Sequence, residues 1–143
     1  MQPSTRDAVA ARLARYDSVL EIGIGHSPDV AAALAADGVD VTATDVHERD
    51  VPDGVRFVRD DIVPRSERAT PGDRYAVDAI YALNLPPELH RPARDVAHAA
   101  GADFLFTTLG YDAPAIPVDR ESVGPETVYV ARERGRRRTT DQG

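Results

Sequence analysis

The stretch Ser18-Val-Leu-Glu-Ile-Gly23-Ile-Gly25-His-Ser-Pro-Asp29 constrains this 143-residue chain more than any other. A short apolar run that ends in two closely spaced glycines reads as a buried strand turning sharply into a helix. Glycine suits such a turn because it has no side chain to hold the backbone away from a neighbour. Ser27 is placed to cap the next helix and Pro28 to open it. The pattern therefore predicts a helix from Pro28 to Asp37, with Val30 and Leu34 facing inward and Gly38 just past its end. Val39-Asp-Val-Thr-Ala-Thr-Asp45 then alternates at period two and reads as a second strand. A strand, a helix and a strand this close together make a parallel pair, because parallel neighbours need a crossover.

The remainder repeats the alternation. A first helix is expected from Ser4 or Thr5 to about Arg15, with Val9, Leu13 and Tyr16 on one face. Val55 to Val58, Val77 to Ala82 and Asp103 to Thr108 read as further strands. A helix between the last two ends at Ala100, is closed by Gly101, and is expected to kink or restart at Pro92. Thr127 to Arg132 reads as a final strand, reached through a connection rich enough in proline and glycine to permit an antiparallel return. The expected fold class is α/β: a Rossmann-like three-layer αβα sandwich around a mostly parallel sheet of about six or seven strands. One domain over residues 1–133 is expected, followed by an Arg-rich tail over 134–143 that reads as disordered.

Composition narrows the chemistry. The chain has no cysteine, which removes disulfides and thiolate metal sites. All 17 cationic residues are arginine, aspartate outnumbers glutamate, and the net charge is −7. Lysine-free, acidic composition resembles that of proteins from salt-accumulating haloarchaea. Molar salt shortens the Debye length to roughly 3 Å, so the self-repulsion of such a surface is screened. The acidity also disfavours a broad nucleic-acid face, and Arg136-Arg-Arg138 reads as a solvated terminus. No apolar run approaches the roughly 18 residues of a membrane span, and the N-terminus lacks a signal-peptide pattern. A cytoplasmic location is expected.

Two carboxylates accompany the glycine turn. Asp45 closes the second strand 22 positions after Gly23, near the ~20-residue spacing at which an acid meets ribose hydroxyls. Glu21 lies within an otherwise apolar strand, where burial demands a polar partner from ligand or protein. A dinucleotide fingerprint would place a third glycine where Pro28 stands. Asp29 would also set a negative charge beside a pyrophosphate. S-adenosylmethionine has no phosphate and carries an ammonium group, so the charges favour it over NAD.

Val19-Leu-Glu-Ile-Gly-Ile-Gly25 resembles motif I of the class I S-adenosylmethionine-dependent methyltransferases, with Ser27 where a third glycine is usual. The resemblance implies that Gly23, Gly25 and His26 line the methionine side, that Glu21 organises the ammonium end, and that Asp45 holds the ribose. Asp61 falls where that superfamily often has an acid near the adenine, with Asp60 as the alternate. Asn84-Leu-Pro-Pro-Glu88 is similar to the Asn-Pro-Pro-aromatic signature of amino-group methyltransferases, although Leu85 interrupts it and Glu88 replaces the aromatic. Asn84 and Glu88 are thus candidates for acceptor chemistry, the methyl acceptor being unidentified. The whole chain, including Tyr81-Ala-Leu-Asn-Leu-Pro-Pro-Glu-Leu89, resembles a small archaeal family called uncharacterised protein family 0146, which implies a Rossmann-like fold and no particular activity.

Other readings stay open. His26, Asp45 and His47 match no metal-ligand spacing, and no metal is expected. His90 and His98 read as surface residues of a helix, and Tyr111 as a packed loop aromatic. The alternatives to a minimal methyltransferase are a non-catalytic nucleotide-sensing or interaction module, working with a protein partner or a second copy, and a small NAD-binding domain like the regulatory domains of potassium-transport proteins.

Overall fold

The computed structural model describes residues 1–110 and 112–132, so Tyr111 and the arginine-rich tail lie outside the described residues. The apolar run after Asp17 forms β1 (Ser18–Ile22), and the alternating run after Val39 forms β2 (Asp40–Asp45). They pair in parallel, with Glu21 opposite Ala43 and Ile22 opposite Thr44. On the other side of β1 runs β4 (Ala79–Ala82), also parallel, which sets Tyr81 directly opposite Glu21. The sheet extends outward through β3 (Val55–Arg59) beside β2 and β5 (Asp103–Phe106) beside β4. A hairpin of β6 (Val118–Val123) and β7 (Glu126–Ala131) completes it, with β7 antiparallel to β5. The seven-stranded order is β3-β2-β1-β4-β5-β7-β6, a mostly parallel Rossmann-like sheet. Strand order reverses between β1 and β4, where ligands of open α/β sheets collect beyond the carboxyl ends.

Each face of the sheet is covered. Val9 and Leu13 of α1 (Pro3–Leu13), with Val30 and Leu34 of α2 (Asp29–Ala36), pack on Val19, Val41, Ala43 and Tyr81. Ala93, Val96 and Ala97 of α4 (His90–Ala100) pack on Leu20, Ile22, Ile80 and Phe104 on the opposite face, joined by Ile62 of the short α3 (Ile62–Ser66). Successive β1 residues therefore serve opposite layers, as strand geometry requires. No helix among the described residues is long and apolar enough to cross a membrane.

Several local expectations are corrected. Helix α1 begins at Pro3 with Gln2 before it, so neither Ser4 nor Thr5 is the cap. The N–H of Ser27 closes a turn onto Ile24 O at 3.3 Å, and α2 begins only at Asp29, after Pro28. Ser27 therefore sits one residue too early to cap. The helix before β5 makes a fresh start at His90 after the 3₁₀ turn Pro87–Leu89, which leaves Pro92 in its first turn, where an amide proton has no intrahelical use. The last strand expected is present as β7, antiparallel to β5, but it is one arm of a hairpin whose other arm, β6, was not expected. Val-Asp-Arg-Glu-Ser-Val carries little apolar alternation because β6 lies at the sheet edge, with no residue fully buried. The two-residue turn Gly124-Pro125, with Gly124 at φ +59°, was the legible signal for it.

Candidate functional site

The site grows out of the register between β1 and β2. Beyond the paired strands, the N–H groups of Gly23 and Ile24 both donate to Thr44 O, at 2.9 and 3.0 Å, while Thr44 Oγ1 donates to Glu21 O at 3.1 Å. The chain then turns through Gly23 at φ +71° and Gly25 at φ +56°, both in the region that side chains disfavour. Packing does not exclude a side chain from these positions. A Cβ on Gly23 would meet nothing within 4 Å, and one on Gly25 only Gly23 O at 3.9 Å. Open space over bare backbone is what a closely approaching ligand requires.

Asp45 faces this turn and organises it. Its Oδ2 accepts from Gly25 N–H at 2.8 Å and its Oδ1 from His47 N–H at 3.0 Å. Burial pushes its carboxyl pKa up, but the His47 and Gly25 amides and the charge of Arg49 outweigh this and hold it below the usual carboxylate value. A carboxylate has about four lone-pair sites, so two backbone bonds leave acceptor capacity for ligand hydroxyls. An ionised acid beside an uncovered glycine turn fits an adenosine-containing cofactor.

Arg49 is the residue that sequence reasoning missed. Its Nε lies 3.5 Å from Asp45 Oδ2 and its Nη1 lies 2.8 Å from His26 Nε2. Guanidinium only donates, so His26 Nε2 accepts here and the ring proton sits on Nδ1. Arg49 lies four residues after Asp45, and its side chain is only 20% exposed. Gly25, His26, Pro28, Glu48, Arg49 and Asp50 line an open cleft of about 280 Å³.

Glu21 stands beneath the turn and is fully buried. Its partner is the protein: Tyr81 Oη donates to Glu21 Oε1 at 2.7 Å from the directly opposed position on β4. Burial pushes its pKa up to about 8 against the opposing effect of that bond, so the group is mostly protonated at neutral pH. The anionic carboxylate at the glycine turn is Asp45.

The two acids after β3 have separate duties. Asp60 is held by Arg65, at 2.8 Å from Nε to Oδ2, and by Tyr75 Oη at 2.6 Å. Asp61 caps α3 by accepting Val63 N–H at 3.0 Å, and it remains exposed at the carboxyl edge of the sheet. His47 contributes its backbone to Asp45, and among the described residues no group of three His, Asp or Glu side chains is placed to hold a metal.

Across the switch point, Asn84 and Glu88 are both exposed in the segment after β4. Asn84 takes φ +53°, an αL turn that asparagine tolerates, and its N–H donates to Thr107 Oγ1 at 2.8 Å. His90 corrects an expectation, for it is completely buried. Ala115 N–H donates to its Nδ1 at 3.0 Å, which leaves Nε2–H to donate to Leu85 O at 2.9 Å. The ring thereby ties the loop after β4 to the loop after β5, and it packs on Phe106 with centroids 4.5 Å apart.

Known proteins match this chain at two levels. Its fold is that of the class I S-adenosylmethionine-dependent methyltransferases, at low sequence identity. An RNA methyltransferase from Salinibacter ruber, solved with S-adenosyl-L-homocysteine, superposes with a TM-score of 0.60 at 18% identity over 92% of this chain and 91% of that one. A TehB-like SAM-dependent methyltransferase from Corynebacterium glutamicum gives 0.56 at 17% identity, over 89% and 85%. Of the 1,6-didemethyltoxoflavin-N1-methyltransferase of Burkholderia thailandensis the chain spans 61%, with 90% of its own length covered, a TM-score of 0.51 and 24% identity. In sequence, a UPF0146 protein of Halobacterium salinarum is 50% identical over 133 residues, 92% of this chain and 98% of that one. Another, from Archaeoglobus fulgidus, is 41% identical over 91 residues, 64% of this chain and 67% of that one. The family model of UPF0146 matches residues 5–134, and the chain belongs to this uncharacterised protein family.

Proposed function

We propose that this protein binds S-adenosylmethionine, or its demethylated product, in the crevice over Gly23, Gly25 and Asp45, and that it is a minimal member of the methyltransferase fold. The observation that carries the reading is the 2.8 Å bond from Gly25 N–H to Asp45 Oδ2 beneath a turn whose glycines have open space above them. Gly23, Gly25 and His26 line the methionine side. Asp45 receives the ribose hydroxyls, and Asp61 stands at the adenine end. Glu21 supports the turn from below through Tyr81. Two of the structural relatives hold S-adenosylhomocysteine, which supports this choice of ligand.

The cofactor, when bound, supplies an activated methyl group. What the chain contributes is alignment, the main requirement of a transfer whose leaving group is already activated. Asn84 and Glu88 border the acceptor side on this reading, and the backbone N–H of Asn84 ties the first of them to Thr107, the residue after β5.

Thermal unfolding in molar salt with S-adenosylmethionine, S-adenosylhomocysteine, NADH and ATP tests the proposal. A ligand at 100 times its dissociation constant stabilises by ~2.7 kcal/mol, which raises the midpoint by about 5 °C or more at this size. Shifts with the two S-adenosyl compounds are expected. A shift with NADH alone would overturn the choice of cofactor.

A further inference from the structure

Residues 112–116 lead from the connection after β5 into β6. Among the described residues, this stretch makes one hydrogen bond beyond its own connection, from Ala115 N–H to His90 Nδ1 at 3.0 Å. Its other anchor is the buried side chain of Ile116. The ring that accepts the bond is completely buried, and its second nitrogen is committed too, with Nε2–H donating to Leu85 O at 2.9 Å. The closed stretch therefore depends on a neutral imidazole that carries its proton on Nε2.

A second proton would go to Nδ1, the atom that accepts from Ala115. Two N–H groups would then face each other across 3.0 Å, in a place closed to water. The surroundings do not offset that charge. Both hydrogen-bond partners of the ring are backbone groups, and β5 packs the uncharged Phe106 on it. Helix α4 itself carries two like charges, Arg91 and the buried Arg94, the latter held by Asp95. Arg65 of α3, which packs on α4, is held by Asp60. Asp73 and Arg74 of the 3₁₀ turn Asp73–Tyr75 are exposed, as are Glu88 before α4 and Asp112 in the stretch itself.

We infer that His90 is a proton-sensitive latch: neutral, it fastens residues 112–116 to the start of α4, and protonated, it releases them. Protonation and closure exclude each other, so uptake of one proton accompanies each acid-driven opening. The latch stands on the fold alone. That the released stretch borders the acceptor side rests on the proposed function. On that reading, acid uncovers the acceptor side and leaves the glycine turn and Asp45 in place.

Native-state hydrogen exchange of the ligand-free wild type and His90→Gln, at pH 7.5 and pH 5 in molar salt, tests this. Each rate is divided by that of an unstructured chain at the same pH. An imidazole open to water takes up a proton at about pH 6.5, so the opening that exposes Ala115 N–H should become about thirtyfold more frequent at pH 5. The amides of β5 should not follow, which marks the opening as local. Glutamine keeps an acceptor and a donor in the side chain but cannot titrate, so Ala115 in His90→Gln should open equally at both pH values. An Ala115 opening in the wild type that ignores pH would overturn the latch. An equal rise throughout β5, or in the variant, would overturn it as well. The wild-type readings at Ala115 and in β5 remain decisive if His90→Gln does not fold.

Discussion

Oδ2 of Asp45 accepts the N–H of Gly25 at 2.8 Å, so the residue that ends the second strand also fixes the turn that follows the first. Oδ1 does the same for the loop beyond β2 through His47. Replacing Asp45 by asparagine keeps the shape but turns one acceptor into a donor facing an N–H. The loss should be about 1–3 kcal/mol of stability, read by chemical denaturation. The carboxyl titrates below its ordinary value of 3.8, so the folded state binds fewer protons there than the unfolded chain. Its stabilising contribution is therefore present above pH 3.8 and is lost as the pH falls through the lower folded value. Asp45→Asn should lack that component of acid sensitivity.

Glu21 gives the opposite sign. Its folded pKa is about 8 against an ordinary 4.5, so the native state holds a proton that the unfolded chain releases within that interval. Stability should fall as pH rises from 4.5 to about 8 and then level off. Glu21→Gln removes the titration, and the difference between the two proteins across that window should be on the order of a few kcal/mol. Paired urea curves at pH 5 and pH 9 would measure it, and parallel pH profiles would show that Glu21 is charged in the fold.

Gly23→Ala separates folding from binding. The added methyl meets nothing within 4 Å, so the cost to stability is that of holding alanine at φ +71°, about 1–2 kcal/mol. The same methyl projects into the space assigned to the cofactor. The variant should therefore fold while losing affinity for S-adenosylhomocysteine by more than tenfold, as measured by calorimetry.

His90 joins two loops from inside the protein. His90→Ala removes two hydrogen bonds and a ring packed on Phe106, and leaves Leu85 O and Ala115 N–H without their partner. A loss of about 2–4 kcal/mol is expected in chemical denaturation. Hydrogen exchange should show faster opening in the segments after both β4 and β5, whereas an ordinary surface histidine would change neither.

What was legible in the sequence were features written locally. Two glycines after an apolar run, a period-two strand and an acid at its end are contiguous signals, and they placed β1, α2, β2 and Asp45. Arg49 and the burial of Glu21 against Tyr81 depend on partners brought together by parallel pairing, which has no contiguous pattern. His90 looked like a solvated helix residue because its acceptor and donor, Leu85 O and Ala115 N–H, are backbone groups, and backbone groups leave no mark in composition. Edge strand β6 was missed for a related reason: with one neighbour and no fully buried residue, it needs no apolar alternation.

Calorimetric titration of S-adenosylhomocysteine into the wild type and Asp45→Asn, in molar salt, tests the central claim most directly. The proposed site predicts one-to-one binding by the wild type, weakened at least tenfold in a variant that remains folded. No binding by the wild type, or equal binding by both proteins, would contradict the assignment of the crevice at Gly23, Gly25 and Asp45 as the cofactor site.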